Sequence, residues 1–122
     1  MATVLVVEDN DANMRLTTFL LESVGHTVLA ASDAEAGLTL ARAARPALIL
    51  MDIQLPGMDG LEATALLKRD ALTRDIPVIA LTALAMKGDE ERIRAAGCDS
   101  YVAKPIAYKE FLQTIADRLP RA

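Results

Sequence analysis

The stretch TVLVVEDN, residues 3–10, shows how the chain is built. Its first five residues are almost all apolar, and a short run that is apolar on both faces is typical of a parallel strand covered by helices on both sides. Glu8 and Asp9 follow without a spacer. Adjacent carboxylates repel each other and are costly to bury, so their place at the end of a buried strand requires a chemical reason.

Four other segments have strand character. Two of them are strongly apolar and bounded by turn residues, and two are weaker. In chain order the predicted strands are TVLVV (3–7), Thr27–Ala31, ALILM (47–51), PVIAL (77–81) and Ser100–Ala103.

Helical patterns separate these strands. Capping-box signatures open two helices, and glycines that favour left-handed helix ends close two others. The predicted helices run from about Asp11 to Val24, from Ser32 to the residues before Pro46, from Asp59 to Arg69, from Lys87 to Ala96 and from Tyr108 to Leu119.

The regular alternation predicts an α/β fold with a doubly wound, five-stranded parallel sheet and five helices. The common strand order for five such units is 2-1-3-4-5, the flavodoxin-like arrangement. At 122 residues the chain has the length of one domain, and we expect residues 1–122 to form a single domain with no output domain.

Composition excludes several function classes. The net charge is −4 and the 13 basic residues are scattered along the sequence, which gives no electrostatic signature of nucleic-acid binding. No apolar run approaches the roughly 20 residues of a transmembrane helix, and no signal peptide is visible, so we expect a cytoplasmic protein without membrane contact. The lone Cys98 excludes an internal disulfide.

Polar side chains follow four of the predicted strands. Glu8 and Asp9 follow strand 1, strand 3 ends in Asp52, strand 4 ends in Thr82, and strand 5 leads into Lys104. In an open parallel sheet, ligands bind beyond the carboxyl ends of the strands, at the switch point between strands 1 and 3. The sequence therefore predicts one site that contains three carboxylates, a hydroxyl and an ammonium group.

A cation relieves the mutual repulsion of three clustered carboxylates, and oxygen ligands are what Mg²⁺ prefers. We therefore expect a magnesium site with open positions for phosphate oxygens. Lys104 can attract a phosphoryl group and Thr82 can donate a hydrogen bond to it. Asp52 lies between the metal ligands and the lysine, so its carboxylate is the best placed nucleophile.

Four separated motifs now support a family resemblance: Glu8-Asp9, MDIQLPGMDG (51–60), LTA (81–83) and YVAKP (101–105). Together they resemble the signature of response-regulator receiver domains, the CheY-like superfamily, over essentially the whole chain. Longer strings such as VEDNDANM (7–14) are similar to those of stand-alone receivers that relay cell-cycle and polarity signals. Similar strings also occur in the receiver portions of hybrid histidine kinases.

The resemblance implies that Asp52 accepts a phosphoryl group from a histidine kinase. Asp9 and Asp52 would bind Mg²⁺ directly, Glu8 through water, and Gln54 through its backbone carbonyl. Lys104 would pair with the acyl phosphate. Glu8 stands where aspartate is commoner in the family, but its longer side chain still reaches a metal-bound water.

The resemblance also implies a conformational switch. Thr82 would turn toward the phosphoryl oxygen, and Tyr101 would rotate into the space that Thr82 leaves, which repacks the face formed by helix 4, strand 5 and helix 5. A static, half-buried Tyr101 is the alternative. The Lys104–Pro105 bond would be cis. Gln54 and Leu84 occupy the positions that influence hydrolysis of the phosphoaspartate.

The expected partners are a sensor histidine kinase or a histidine phosphotransfer protein, and a downstream protein target. In the family the helical dimerisation domain of the kinase docks on helix 1 and on the loop after strand 5, which makes Asn13 and Arg15 candidate contacts. We expect a monomer or weak dimer and a signalling role rather than that of a classical enzyme, although the protein would assist its own phosphotransfer and dephosphorylation.

Two other functions fit the same fold. A phosphatase of the haloacid type also uses an aspartyl nucleophile and Mg²⁺, but it places a second acid two residues later, where this chain has Gln54. A flavin-binding protein would need an aromatic pair or a phosphate-binding loop, and neither is visible in the sequence.

Overall fold

The computed structural model describes residues 2–83 and 87–119, which form five strands and five helices in alternation. The strands are β1 (Thr3–Val7), β2 (Thr27–Ala31), β3 (Leu48–Asp52), β4 (Val78–Thr82) and β5 (Ser100–Ala103). The helices are α1 (Asp11–Ser23), α2 (Ala34–Ala44), α3 (Gly60–Arg69), α4 (Lys87–Ala96) and α5 (Tyr108–Arg118). Leu84, one of the two positions expected to influence phosphoaspartate hydrolysis, lies outside the described residues.

The strands form one parallel sheet in the order β2-β1-β3-β4-β5, which confirms the predicted topology. The register aligns the carboxyl ends of the three central strands. Val7 pairs with Met51, and Asp52 pairs with Leu81. The polar residues that follow each strand are therefore carried to one edge of the sheet.

The core consists of two layers, one on each face of the sheet. Alternate residues along a strand point to opposite faces, so each central strand contributes to both layers. The layer beneath α2, α3 and α4 contains Leu5, Val7, Ile49, Met51, Val78 and Ala80. The layer beneath α1 and α5 contains Val4, Val6, Leu48, Leu50, Ile79, Leu81, Phe111 and Ile115. Because β1, β3 and β4 are covered on both faces, the strand ends that carry the site are firmly anchored.

Side-chain caps fix the starts of α2 and α3. The Asp59 carboxylate accepts a hydrogen bond of 2.8 Å from the Glu62 N–H, which confirms the predicted start of α3. The predicted start of α2 at Ser32 is wrong by one residue, since Asp33 caps this helix by accepting from the Ala36 N–H at 2.8 Å. Serine and aspartate cap about equally well, so adjacent candidates leave the first residue undecided in the sequence.

Helix α2 ends in an unusual way. Its C-cap is Arg45, which lies in the left-handed region with φ of 44°. Glycine or asparagine is the ordinary choice there, because a side chain at positive φ is strained. Helices α1 and α5 end at Ser23 and Arg118, one residue before the predicted ends. Within the described part of the chain, no helix has the length and apolar character needed to cross a bilayer.

Candidate metal centre

Three carboxylates meet at the carboxyl edge of the sheet. Glu8 and Asp9 follow β1, and Asp52 is the last residue of β3. Each offers one oxygen atom, and these three atoms lie within 4.8 Å of one another. Glu8 and Asp52 are only 2% and 3% exposed, whereas Asp9 is exposed at the entrance. The structure thus brings together the acidic residues that the sequence predicts for this edge.

The cluster is electrostatically unfavourable on its own. Burial, together with the neighbouring Asp52 carboxylate, raises the pKa of Glu8 to about 7, against a usual value of 4.5. A carboxyl group with this pKa still holds a proton in part of the molecules at neutral pH. The site therefore favours binding of a cation, which would lower this pKa and keep all three groups ionised.

Lys104 supplies one positive charge to the cluster. Its Nζ donates hydrogen bonds of 3.0 Å to Glu8 Oε1 and 3.0 Å to Asp52 Oδ2. Burial alone would lower the pKa of Lys104, but the two carboxylates outweigh burial and hold this pKa above its usual value. The amine therefore stays charged. The Lys104–Pro105 peptide bond is cis, the isomer that the family resemblance implies.

The donor set fits a magnesium ion. Three ionised carboxylates and one ammonium group leave two negative charges, which a divalent cation balances. The donors are all oxygen atoms, and the exposed carboxylate of Asp9 leaves the site open to water and to further ligands. The oxygen atoms of Glu8, Asp9 and Asp52 lie close enough together for one ion to be held among them.

Backbone groups hold the buried carboxylates in position. Asp52 Oδ1 accepts a hydrogen bond of 2.9 Å from the N–H of Gln54, and Glu8 Oε2 accepts one of 3.3 Å from the N–H of Asn10. Because Oδ2 of Asp52 is engaged by Lys104, both oxygens of this carboxylate are oriented before any ligand binds. The same hydrogen bond keeps Gln54 beside Asp52, where its backbone carbonyl was expected as a metal ligand.

Gly60 is a supporting residue that the sequence reasoning did not single out. A Cβ atom at this position would lie 2.1 Å from the backbone oxygen of Asp52 and 2.7 Å from the Ile53 Cα. Its N–H also donates to the Ile53 carbonyl at 3.3 Å. Only glycine lets the first turn of α3 approach the end of β3 so closely. In the sequence, the glycine that directly follows the predicted helix cap Asp59 is the feature that could have indicated this close approach.

Thr82 and Tyr101, the predicted switch pair, lie in the neighbouring strands β4 and β5. Thr82 is buried at the end of β4, and its backbone carbonyl accepts a hydrogen bond of 2.8 Å from the Lys104 N–H. Tyr101 lies in β5, partly buried against the core, and lines a cavity of about 320 Å³ with Phe111 and Thr114 among its other walls. Ala83, next to Thr82, is exposed.

Known proteins resemble this chain over most of its length. Residues 4–116 match the family described as the response regulator receiver domain. Two curated relatives, each named polar-differentiation response regulator DivK, come from Brucella anthropi and Brucella ovis. They are 52% and 51% identical over 117 residues, which cover 96% of this chain and 95% of each relative.

Solved structures agree with the match. The chemotaxis protein CheY4 of Vibrio cholerae has a TM-score of 0.92 and 26% identity, with 98% of this chain and 99% of that chain covered. The receiver domain of the sensor histidine kinase PA1611 of Pseudomonas aeruginosa has a TM-score of 0.88 and 38% identity, covering 97% of this chain and 96% of its own. It holds a magnesium ion in its active-site cleft. The chain therefore belongs to the response regulator receiver domain family of two-component signalling.

Proposed function

We propose that the protein is a phosphorylation-activated switch in which Asp52 accepts a phosphoryl group from a histidine kinase or a histidine phosphotransfer protein. The observation that carries this proposal is the position of Lys104 Nζ, 3.0 Å from both Glu8 and Asp52 in the acidic cluster. An ammonium group that is held charged beside an oriented carboxylate is suited to binding the oxygens of an incoming phosphoryl group.

The proposed reaction is a transfer between two protein side chains. A carboxylate oxygen of Asp52 attacks the phosphorus atom of a phosphohistidine, the P–N bond breaks, and its electron pair returns to the imidazole nitrogen. The product is an acyl phosphate on Asp52. Magnesium, when bound, supplies positive charge that offsets the negative charge of the phosphoryl oxygens.

The chain's own residues orient the reactants. The Gln54 N–H keeps the Asp52 carboxylate in place, and Lys104 moves from the carboxylates to the phosphoryl oxygens as negative charge arrives. Thr82 would donate its hydroxyl hydrogen to one of these oxygens, and the small Ala83 leaves room for the donor. The same groups would assist the slower attack of water that removes the phosphoryl group.

The proposed output is a rearrangement of the face formed by α4, β5 and α5. When Thr82 turns toward the phosphoryl group, Tyr101 rotates inward and changes the cavity that it lines with Phe111 and Thr114. A downstream protein would recognise the new surface. The open cavity beside Tyr101 supports this proposal because it gives the ring space to move.

The proposed partner surface for the kinase is α1. Leu16 and Phe19 are exposed on this helix, and they lie near the candidate contacts Asn13 and Arg15. An apolar patch with polar neighbours is suited to a helical dimerisation domain. We further propose that residues 1–122 form one receiver domain, which acts in the cytoplasm as a monomer or weak dimer. The names of the DivK relatives suggest a role in polarity or cell-cycle signalling.

A phosphotransfer assay tests the proposal. A histidine kinase labelled with radioactive phosphate is mixed with the parent protein, with Asp52→Asn, and with Asp59→Asn in the presence of magnesium. Asparagine keeps the helix cap at position 59, so this variant is a matched control on the same loop. We expect label on the parent and on Asp59→Asn, and none on Asp52→Asn. Retained labelling of Asp52→Asn would contradict the assignment.

A further inference from the structure

The surface between α2 and α3 carries a groove that phosphoryl transfer does not use. The groove has a volume of about 480 Å³ and is lined by Leu38, Arg42, Leu66, Arg69, Asp70 and Ala71. It includes the C-terminal ends of both helices, which precede the starts of β3 and β4. It therefore lies toward the edge of the sheet opposite Asp52, and it is also separate from the α4–β5–α5 face.

The apolar part of the groove is not required by the fold. Helix α3 buries Ala63, Thr64 and Leu67 against the core, yet Leu66 is 38% exposed. Leu72, which follows the lining residue Ala71 in the turn after the helix, is 54% exposed. Covering a leucine side chain is favourable, so these two residues leave apolar contact area unused. Exposed leucines next to a groove indicate a surface for another molecule.

The shape of the groove is fixed before any partner binds. Arg42 Nε of α2 donates a hydrogen bond of 2.6 Å to Asp70 Oδ2 at the end of α3. The other oxygen of Asp70 accepts a 2.9 Å hydrogen bond from the Leu72 N–H. The Leu72 N–H and the Arg42 guanidinium together hold the pKa of Asp70 below its usual value, so this group stays ionised. A preformed groove binds with less ordering cost than a mobile one.

The charge around the groove is opposite to that of the chain. The lining contains two cations, Arg42 and Arg69, and one carboxylate, Asp70, whereas the whole chain has a net charge of −4. Asp70 is already paired with Arg42. In the described part of the chain, Arg69 forms no salt bridge. This lining arginine is therefore available to a negatively charged partner.

Helix dipoles explain only part of this pattern. Cations near helix C-termini are stabilising, which accounts for Arg42 and Arg69 in the last turns of α2 and α3. The dipole does not account for Leu66 and Leu72 beside them.

We propose that this groove is the docking site for an acidic amphipathic helix of another protein. The groove lies between two neighbouring helices, a shape that receives a third helix through apolar anchors spaced three and four residues apart. Leucine-type anchors of the partner would contact Leu38 and Leu66, and its flanking carboxylates would pair with Arg69. None of the described residues that line the groove is aromatic, and aromatic side chains are typical of membrane interfaces, so a peptide is favoured over a lipid surface.

This site does not depend on phosphorylation of Asp52, so it can be tested alone. The probe is a synthetic peptide of about 15 residues, stapled into a helix, with leucines along one face and glutamates on both sides of them. A second peptide carries lysine in place of every glutamate. Each peptide is titrated into the full-length, isotope-labelled protein, and backbone amide shifts are followed by NMR.

We expect saturable shifts for the acidic peptide, confined to the second halves of α2 and α3 and the turn after α3. Arg69→Glu and Leu72→Ser should each weaken binding by about fivefold or more. The matched controls are Arg118→Glu, which reverses a charge in the last turn of α5, and Val24→Ser, which replaces a side chain that is 51% exposed. Both controls should bind the acidic peptide as the parent does.

Four results would overturn the proposal. The first is equal binding of the acidic and lysine peptides, and the second is a set of shifts outside the groove. The third is binding at the groove of vesicles that contain phosphatidylglycerol, without binding of the peptide, which would indicate a membrane surface. The fourth is self-association of the protein that Leu72→Ser abolishes in sedimentation experiments, because the occupant would then be a second copy of this chain.

Discussion

At the scale of single residues, the main feature of the site is the repulsion between buried carboxylates. Glu8 and Asp52 are buried side by side, and Lys104 compensates for only part of their negative charge. A protein selected only for stability would replace one of these acids with a neutral residue. The presence of both acids is explained if a cation offsets their negative charge and a phosphoryl group then binds beside the cation.

The stability of the metal-free protein should depend on pH through Glu8. Its pKa is raised from 4.5 to about 7 in the folded state, so folding costs free energy wherever Glu8 must lose its proton. This cost is absent below pH 4.5, grows between pH 4.5 and 7, and is constant above that range. Linkage puts the cost at about 3 kcal/mol at pH 8.

Glu8→Gln should remove this part of the pH dependence. We expect the variant to be more stable than the parent at pH 8 without magnesium, and the advantage to shrink toward pH 4.5. Urea unfolding at a series of pH values measures the difference. The exposed residue Glu22 provides the control, since Glu22→Gln should follow the parent curve. Equal stability of the parent and Glu8→Gln across the range would contradict the raised pKa.

The sequence predicts the members of the site better than their environments. Glu8, Asp9 and Asp52 could be placed together because strand ends in a parallel sheet share an edge. The sequence did not indicate that Glu8 would be buried while its neighbour Asp9 is exposed. Nor did it show that Lys104 bridges Glu8 as well as Asp52, because that contact depends on the path of the chain after β5.

At the scale of elements, the residues that cap a helix predict where that helix begins. Asp59 starts α3 where the sequence predicts, because its carboxylate caps the Glu62 N–H. The predicted start of α2 differs from the observed start by one residue, because Ser32 and Asp33 are both good caps. The close approach of Gly60 to Asp52 is a tertiary contact, which a propensity argument cannot reveal.

Gly60→Ala should disturb the site through the backbone. The added methyl group would lie 2.1 Å from the Asp52 carbonyl oxygen, so α3 or the end of β3 must move. Forcing extra atoms into such a contact costs about 1–3 kcal/mol of unfolding free energy. We also expect slower phosphorylation, because the Asp52 carboxylate is displaced. Urea unfolding and a phosphorylation time course measure the two effects.

Gly37→Ala is the comparison for this prediction. Its methyl group would meet a Val7 side-chain carbon at 2.7 Å, and that contact does not involve the backbone of the site. We expect it to lower stability without a matching loss of phosphorylation rate. The prediction for Gly60 is wrong if both variants lower the rate by the same factor.

At the scale of the whole molecule, the two edges of the sheet have different chemistry. The carboxyl edge carries the acidic cluster and Lys104, and the opposite edge carries the cations around the α2–α3 groove. The strand order was predictable because strongly apolar strands alternate with helices. The groove was not predictable from the sequence, because its cations come from separate stretches of the chain. Only the packing of α2 against α3 brings them together.

If magnesium binds the acidic cluster as proposed, it should stabilise the whole fold, because the unfolded chain presents no such site. At a free concentration of ten times the dissociation constant, the expected gain is about 1.4 kcal/mol of unfolding free energy. Asp9→Asn should lose most of this gain. Asp75→Asn, an exposed acid far from the cluster, should keep it. Urea midpoints with and without magnesium provide the measurement, and an equal gain in Asp9→Asn would remove Asp9 from the metal site.

The most direct test of the central claim is a crystal structure of the protein with magnesium and beryllofluoride, a mimic of the phosphoryl group. The account predicts a magnesium ion in contact with Asp9 and Asp52, and beryllium joined to a carboxylate oxygen of Asp52. Lys104 and Thr82 should contact the fluorine atoms. A cluster that remains without ion or mimic at saturating concentrations would contradict the assignment of this edge as a phosphoryl-accepting metal site.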